Sequence, residues 1–162
     1  MHKKIIVMGV SGCGKSTIGE LLAQSLDIEF FDGDDFHPRA NVDKMAQGIP
    51  LTDDDRQSWL LTLNELIQQK DSLVIACSAL KPTYREMLRH NAPDLKFVYL
   101  HADFETIWDR MSKREGHYFK GPEMLQSQFD ALVEPSRNEA IYMDIANSPT
   151  QIVRDVCTQL GA

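Results

Sequence analysis

Two short runs hold the residues best suited to chemistry: "GVSGCGKS", Gly9–Ser16, and "FFDGDDFHP", Phe30–Pro38. The first fits G-x-x-x-x-G-K-[ST], a loop that cradles phosphate. Its glycines let the backbone bend until N–H groups along Gly9, Val10, Ser11, Gly12, Cys13, Gly14, Lys15, Ser16 and Thr17 converge on phosphate oxygens. The helix expected to start near Lys15 adds the positive end of its dipole. Lys15 reaches the β- and γ-phosphates, and Ser16 offers a hydroxyl to magnesium. The second run crowds Asp32, Asp34 and Asp35 into four positions of a chain whose net charge is already −7. Such crowding costs self-repulsion, so a cation is expected to face it. In an extended segment the i, i+2 spacing points Asp32 and Asp34 the same way. Asp32 then holds magnesium, through water, and Asp34 orients an acceptor hydroxyl and takes its proton. Asp35 can equally just begin the next helix. The chemistry implied is phosphoryl transfer.

These residues need a scaffold that gathers them. Short apolar runs at Lys4–Met8, Glu29–Phe31, Leu73–Cys77, Phe97–Leu100 and Ile141–Ile145 predict strands buried on both faces. Helical stripes alternate with them: Ile18, Leu21, Leu22 and Leu26; Trp59, Leu63, Leu66 and Ile67; Phe104, Ile107, Trp108 and Met111; Ile152, Val153, Val156 and Leu160. Thr52 and Asp55 form a capping box before the second stripe. The alternation predicts an α/β fold, a doubly wound parallel sheet of about five strands, with residues 1–162 as one domain. Strand ends on one edge of such a sheet meet ligands, which would set Asp32 and Asp34 beside the glycine loop. Two connections are longer than a crossover needs. One, about 33–72, carries two helices. The other, about 112–124, is basic, aromatic and glycine-bounded, as a lid would be.

Composition narrows the function class. The chain has 162 residues, 43% hydrophobic, with a pI near 5.1. No basic stripe suits nucleic acid, and no apolar run suits a membrane span. The cysteines Cys13, Cys77 and Cys157 form no CxxC pair, which fits reduced thiols in the cytoplasm. Lys15 and the loop amides should lower the Cys13 pKa and make it the most reactive of the three. The third strand ends in Ser78, Ala79 and Leu80, with no metal-binding aspartate, and no guanine-reading segment is present, so a GTPase switch is disfavoured. Polar residues cluster at the other strand ends: His37, Arg39, Asn41, Lys44, Arg56, Ser78, Lys81, Tyr84 and Arg85. They suit a small polar acid or polyol.

The runs "GVSGCGKS", "DGDDFHPRANVDKMAQGIPLTDDDR", "CSALKPTYREMLR" and "GHYFKGPEMLQSQFDALVEP" together resemble gluconokinase, the thermoresistant type related to shikimate kinase. The resemblance runs from about Lys4 to Pro135. It implies a P-loop NTPase fold like that of nucleoside monophosphate kinases, with a lid. It implies ATP- and magnesium-dependent phosphorylation of D-gluconate at C6, commonly by a homodimer. On this footing Arg56, Lys81 and Arg85 are candidates for the gluconate carboxylate and hydroxyls, with His37 and Asn41 as further contacts. Arg110 would stack on adenine. Arg114 would reach the phosphates and His117 the substrate from the lid. Cys13 departs from the family's usual serine or alanine, and "HYFK" departs from its commoner H-F-M. A related kinase for shikimate or a nucleotide, or a catalytically silent nucleotide-binding regulator, are the alternatives.

Overall fold

Five strands form one parallel sheet in the order β2-β3-β1-β4-β5. They are β1 (Lys4–Met8), β2 (Phe30–Asp32), β3 (Leu73–Ala76), β4 (Leu95–His101) and β5 (Ala140–Asp144). The structure is a computed structural model and describes residues 3–113 and 122–161. The expected lid, about 112–124, therefore falls largely outside the described residues, Arg114 and His117 with it.

The unbroken apolar runs follow from burial on both faces. In β1, Ile5 and Val7 enter one core and Ile6 and Met8 the other. In β4, Val98 and Leu100 face the first core while Phe97 and Tyr99 face the second. Helix α1 (Lys15–Leu26) closes the first core with Ile18 and Leu22, and α7 (Pro149–Gln159) adds Ile152, Val153 and Val156. On the opposite face lie α3 (Asp53–Gln69), with Trp59, Leu60, Leu63 and Ile67, and α4 (Pro82–Arg89), with Tyr84 and Leu88. The capping box is present, with Thr52 and Asp55 each accepting from the other's backbone N–H. Helices α2 (Arg39–Ala46), α5 (Phe104–Ser112) and α6 (Pro122–Ala131) are the other α-helices among the described residues. Sequence periodicity does not flag α4 or α6. The first is eight residues long and the second buries only Leu125. No described helix is long and apolar enough to cross a membrane.

The topology fixes where ligands meet. After β1 the chain enters α1 on one face of the sheet; after the adjacent β3 it enters α4 on the other. The chain thus diverges at the C-terminal ends of β1 and β3, and this opens a crevice.

Candidate active site

The crevice is a cleft of ≈360 Å³ whose lining includes Lys15, Ser16, Asp32, Asp34, His37 and Arg56. A larger hollow, ≈590 Å³, lies at the opposite edge beside Lys4, Lys96 and Tyr142. It has no glycine loop and no paired carboxylates, so volume is a poor guide and the chemistry belongs to the smaller cleft.

The phosphate loop leads from β1 into α1. Gly14 caps the helix with φ +93°, a conformation that a side chain would strain. Lys15 donates from Nζ to the Val10 carbonyl at 3.1 Å, which curls the loop around its own ammonium. Far along the chain, Gln128 of α6 grips the same loop. Its Oε1 accepts from the Ser11 N–H at 2.7 Å, and its Nε2 donates to Ser11 Oγ at 2.6 Å. A separation of 117 residues leaves no local signal for this contact.

Asp32 joins the two runs. The Ser16 hydroxyl donates to its Oδ2 at 3.1 Å. Its Oδ1 accepts from the Asp34 N–H at 3.0 Å, capping a single 3₁₀ turn over Gly33–Phe36. The segment is therefore not extended, contrary to the i, i+2 expectation. The turn is possible because residue 33 is glycine: a Cβ there would come within 2.6 Å of the Ala76 carbonyl oxygen. Asp34 still lines the cleft. Water reaches its carboxylate, yet the surrounding walls desolvate it and raise its pKa. Lys15 opposes that shift, while Asp32 and Asp35 add to it.

The acceptor side is built on α2, α3 and α4. Arg56 donates from Nη1 to Tyr84 Oη at 3.0 Å, and its guanidinium lies 5.4 Å from that ring's centroid. Tyr84 in turn donates to Asp53 at 2.5 Å, and Lys81 pairs with the same carboxylate at 3.0 Å. Lys81 thus supports Arg56 from behind and is not among the cleft's lining residues. His37 stacks on Trp59, whose Nε1 donates to the Gly33 carbonyl at 2.7 Å. Asn41 is 3% exposed and spends its amide on His37 and on the Asp55 carbonyl, so it serves the site through His37 rather than by touching a ligand.

Two further expectations need correction. Arg85, expected at the substrate, does not line the cleft. Its side chain is 1% exposed, and it donates to Glu139 at 3.2 Å, to the Ala79 carbonyl at 2.8 Å and to the Val133 carbonyl at 3.0 Å. Ala79 has a left-handed φ of 48°. Arg85 secures that uncommon backbone, and the loop so held delivers Ser78 into the cleft. Cys13 is not the reactive thiol. It is 2% exposed within the first core, and burial raises its pKa, outweighing Lys15 and the loop amides. Burial pushes Cys77 up to about 12. Cys157 alone of the three is partly exposed. Brief iodoacetamide treatment followed by peptide mapping should therefore label Cys157 first, at a rate that ATP does not change. Early, ATP-sensitive labelling of Cys13 would show that the loop opens to expose it.

The glycine loop, the carboxylates at the end of β2 and the five-strand order describe a small-molecule kinase. The shikimate kinase family model matches residues 11–160. The thermoresistant gluconokinase of Escherichia coli (strain K12) is 47% identical over 142 residues, covering 85% of this chain and 81% of that protein. The thermosensitive gluconokinase of the same organism is 45% identical, covering 92% and 84%. This chain belongs to the gluconokinases of the shikimate kinase family. A solved gluconokinase from Sinorhizobium meliloti 1021 superposes with a TM-score of 0.91 at 41% identity, covering 98% of this chain and 91% of that one. Membership of a kinase family implies ATP as donor, and the loop around Lys15 is the part of this gluconokinase-type fold suited to its phosphates.

Proposed function

We propose that the protein transfers the γ-phosphoryl group of ATP to the C6 hydroxyl of D-gluconate, giving 6-phospho-D-gluconate and ADP. The observation that carries this reading is that Lys15, Asp34 and Arg56 line one cleft. A phosphate clamp, a proton acceptor and a carboxylate-binding cation are thus within reach of one small acid. Lys15 and the loop N–H groups hold the β- and γ-phosphates in line with the acceptor. Asp34 orients the hydroxyl and takes its proton as the O–P bond forms. Its raised pKa suits it to that late transfer. Arg56, anchored by Tyr84, grips the carboxylate at the far end.

The oxygens of Ser16 and Asp32, already 3.1 Å apart, fit magnesium, a hard ion that keeps several waters and takes few protein ligands. When bound there, magnesium neutralises charge on the transferring phosphate. Arg110 is exposed on α5 and its Nη2 donates to the Ile145 carbonyl at 2.7 Å, which would hold its guanidinium plane ready to stack on adenine. Arg114 and His117 would act from the lid segment. The homodimer and the cytoplasmic location implied by the family likeness belong to this proposal too.

A coupled ADP-release assay across gluconate, shikimate, glucose and nucleoside monophosphates tests it. Gluconate should be the substrate. Neutral glucose should lose at least about a hundredfold in kcat/KM, because Arg56 would be left without its anion. Equal use of glucose would mean that Arg56 does not bind a substrate carboxylate.

A further inference from the structure

His37 is held on several sides. Its ring stacks on the Trp59 indole, with centroids 4.2 Å apart and 17° between planes, and its side chain is 3% exposed. Asn41 decides where the ring carries its proton. Asn41 Nδ2 lies 2.7 Å from the Asp55 carbonyl oxygen, an atom that can only accept, and this sets which end of the amide is nitrogen. The same nitrogen lies 3.3 Å from His37 Nδ1. Its second hydrogen therefore points at Nδ1, which must accept. The ring proton is left on Nε2. Burial, aided by the charge of Arg56, lowers the His37 pKa to about 4, so the ring is neutral at pH 7. Nε2 faces Asp34 Oδ1 at 3.8 Å, too far for a direct bond.

An oxygen set to one side of the line between Nε2 and Oδ1 can lie within hydrogen-bond distance, about 2.8 Å, of both atoms. The oxygen must accept from Nε2–H and donate to a carboxylate. Among the groups a substrate offers, a hydroxyl does both, as water does; a carbonyl or carboxylate oxygen does not. Resting on the reading of the cleft as a gluconate kinase site, we infer that His37 is a neutral donor to the acceptor hydroxyl. Asn41 locks it in the Nε2–H tautomer, and the His37–Asp34 pair selects an alcohol as the group presented for phosphorylation. A doubly protonated imidazolium would pair with Asp34 itself and withdraw the base. The neutral tautomer leaves Nε2–H and the Asp34 carboxylate both free to bond one hydroxyl that bridges them from the side.

The test uses the full chain and two readouts. Long-range ¹⁵N–¹H spectra of the imidazole should show the Nε2–H tautomer for His37, and Asn41→Asp should move the proton to Nδ1. For turnover, His37→Gln returns an N–H donor near the Nε2 position, whereas His37→Phe keeps a ring on Trp59 without a donor. Expected is a loss of roughly tenfold or more in gluconate kcat/KM for His37→Phe, less than about threefold for His37→Gln, and no change in the KM for ATP in either. An Nδ1–H spectrum in the wild type, or equal losses in the two variants, would overturn the inference. A wild type that phosphorylates another alcohol and not gluconate would overturn the substrate reading instead. The contrast between the two variants, measured on that alcohol, would then decide the role of His37 separately.

Discussion

Asp34→Asn is expected to lower kcat by about 10²–10⁴-fold while leaving the affinity for ATP nearly unchanged, because the amide can still accept a hydrogen bond but cannot take the proton. Asp32→Asn should behave differently. Asp32 shares its oxygens between the Ser16 hydroxyl and the Asp34 N–H. Its amide variant weakens the oxygen pair suited to magnesium, so the magnesium needed for half-maximal turnover should rise. Magnesium titrations of turnover on both variants separate the roles. Identical curves would mean that the two carboxylates act as one unit.

Arg85→Met should destabilise the fold by about 3–5 kcal/mol, since it leaves two buried carbonyls and Glu139 without their shared donor. For a chain of this size that is a fall in Tm on the order of 10 °C. Arg89 still pairs with Glu139 at 2.7 Å, which tempers the loss for the carboxylate but not for the Ala79 and Val133 carbonyls. Any rise in the KM for gluconate should come with the lowered Tm, because the loop that delivers Ser78 loosens with the fold. A raised KM with unchanged melting would return Arg85 to the substrate.

The contrast between Arg85 and Arg56 shows what a sequence holds and what it hides. Both sit near strand ends in polar runs, and charge alone makes them equal candidates. Only packing separates them: α4 turns Arg85 inward beneath the β3 loop, whereas α3 leaves Arg56 at the cleft. The five strands are legible because double-sided burial writes itself as unbroken apolar runs. The phosphate loop is legible because its glycines, lysine and serine are consecutive. Cys13 misleads because its neighbours argue for an activated thiol, while the loop's curl turns the sulfur into the core beside Gly9. Trp59 reads as core, which it is, but its indole N–H also fixes the turn that carries Asp34. Gln128 leaves no trace in the sequence, since its partner is set by tertiary folding alone.

That glutamine has a thermodynamic consequence. Helix α6 holds Ser11 at two points through Gln128 and also lines the cleft with Met124 and Ser127. One short helix therefore borders both the phosphate loop and the cleft. An acceptor that displaced α6 would also displace the loop that grips phosphate, and a nucleotide that displaced the loop would displace α6. Whatever factor gluconate imposes on ATP affinity, ATP must impose on gluconate in equal measure. Loosening the Ser11 attachment would shrink that factor from both directions at once.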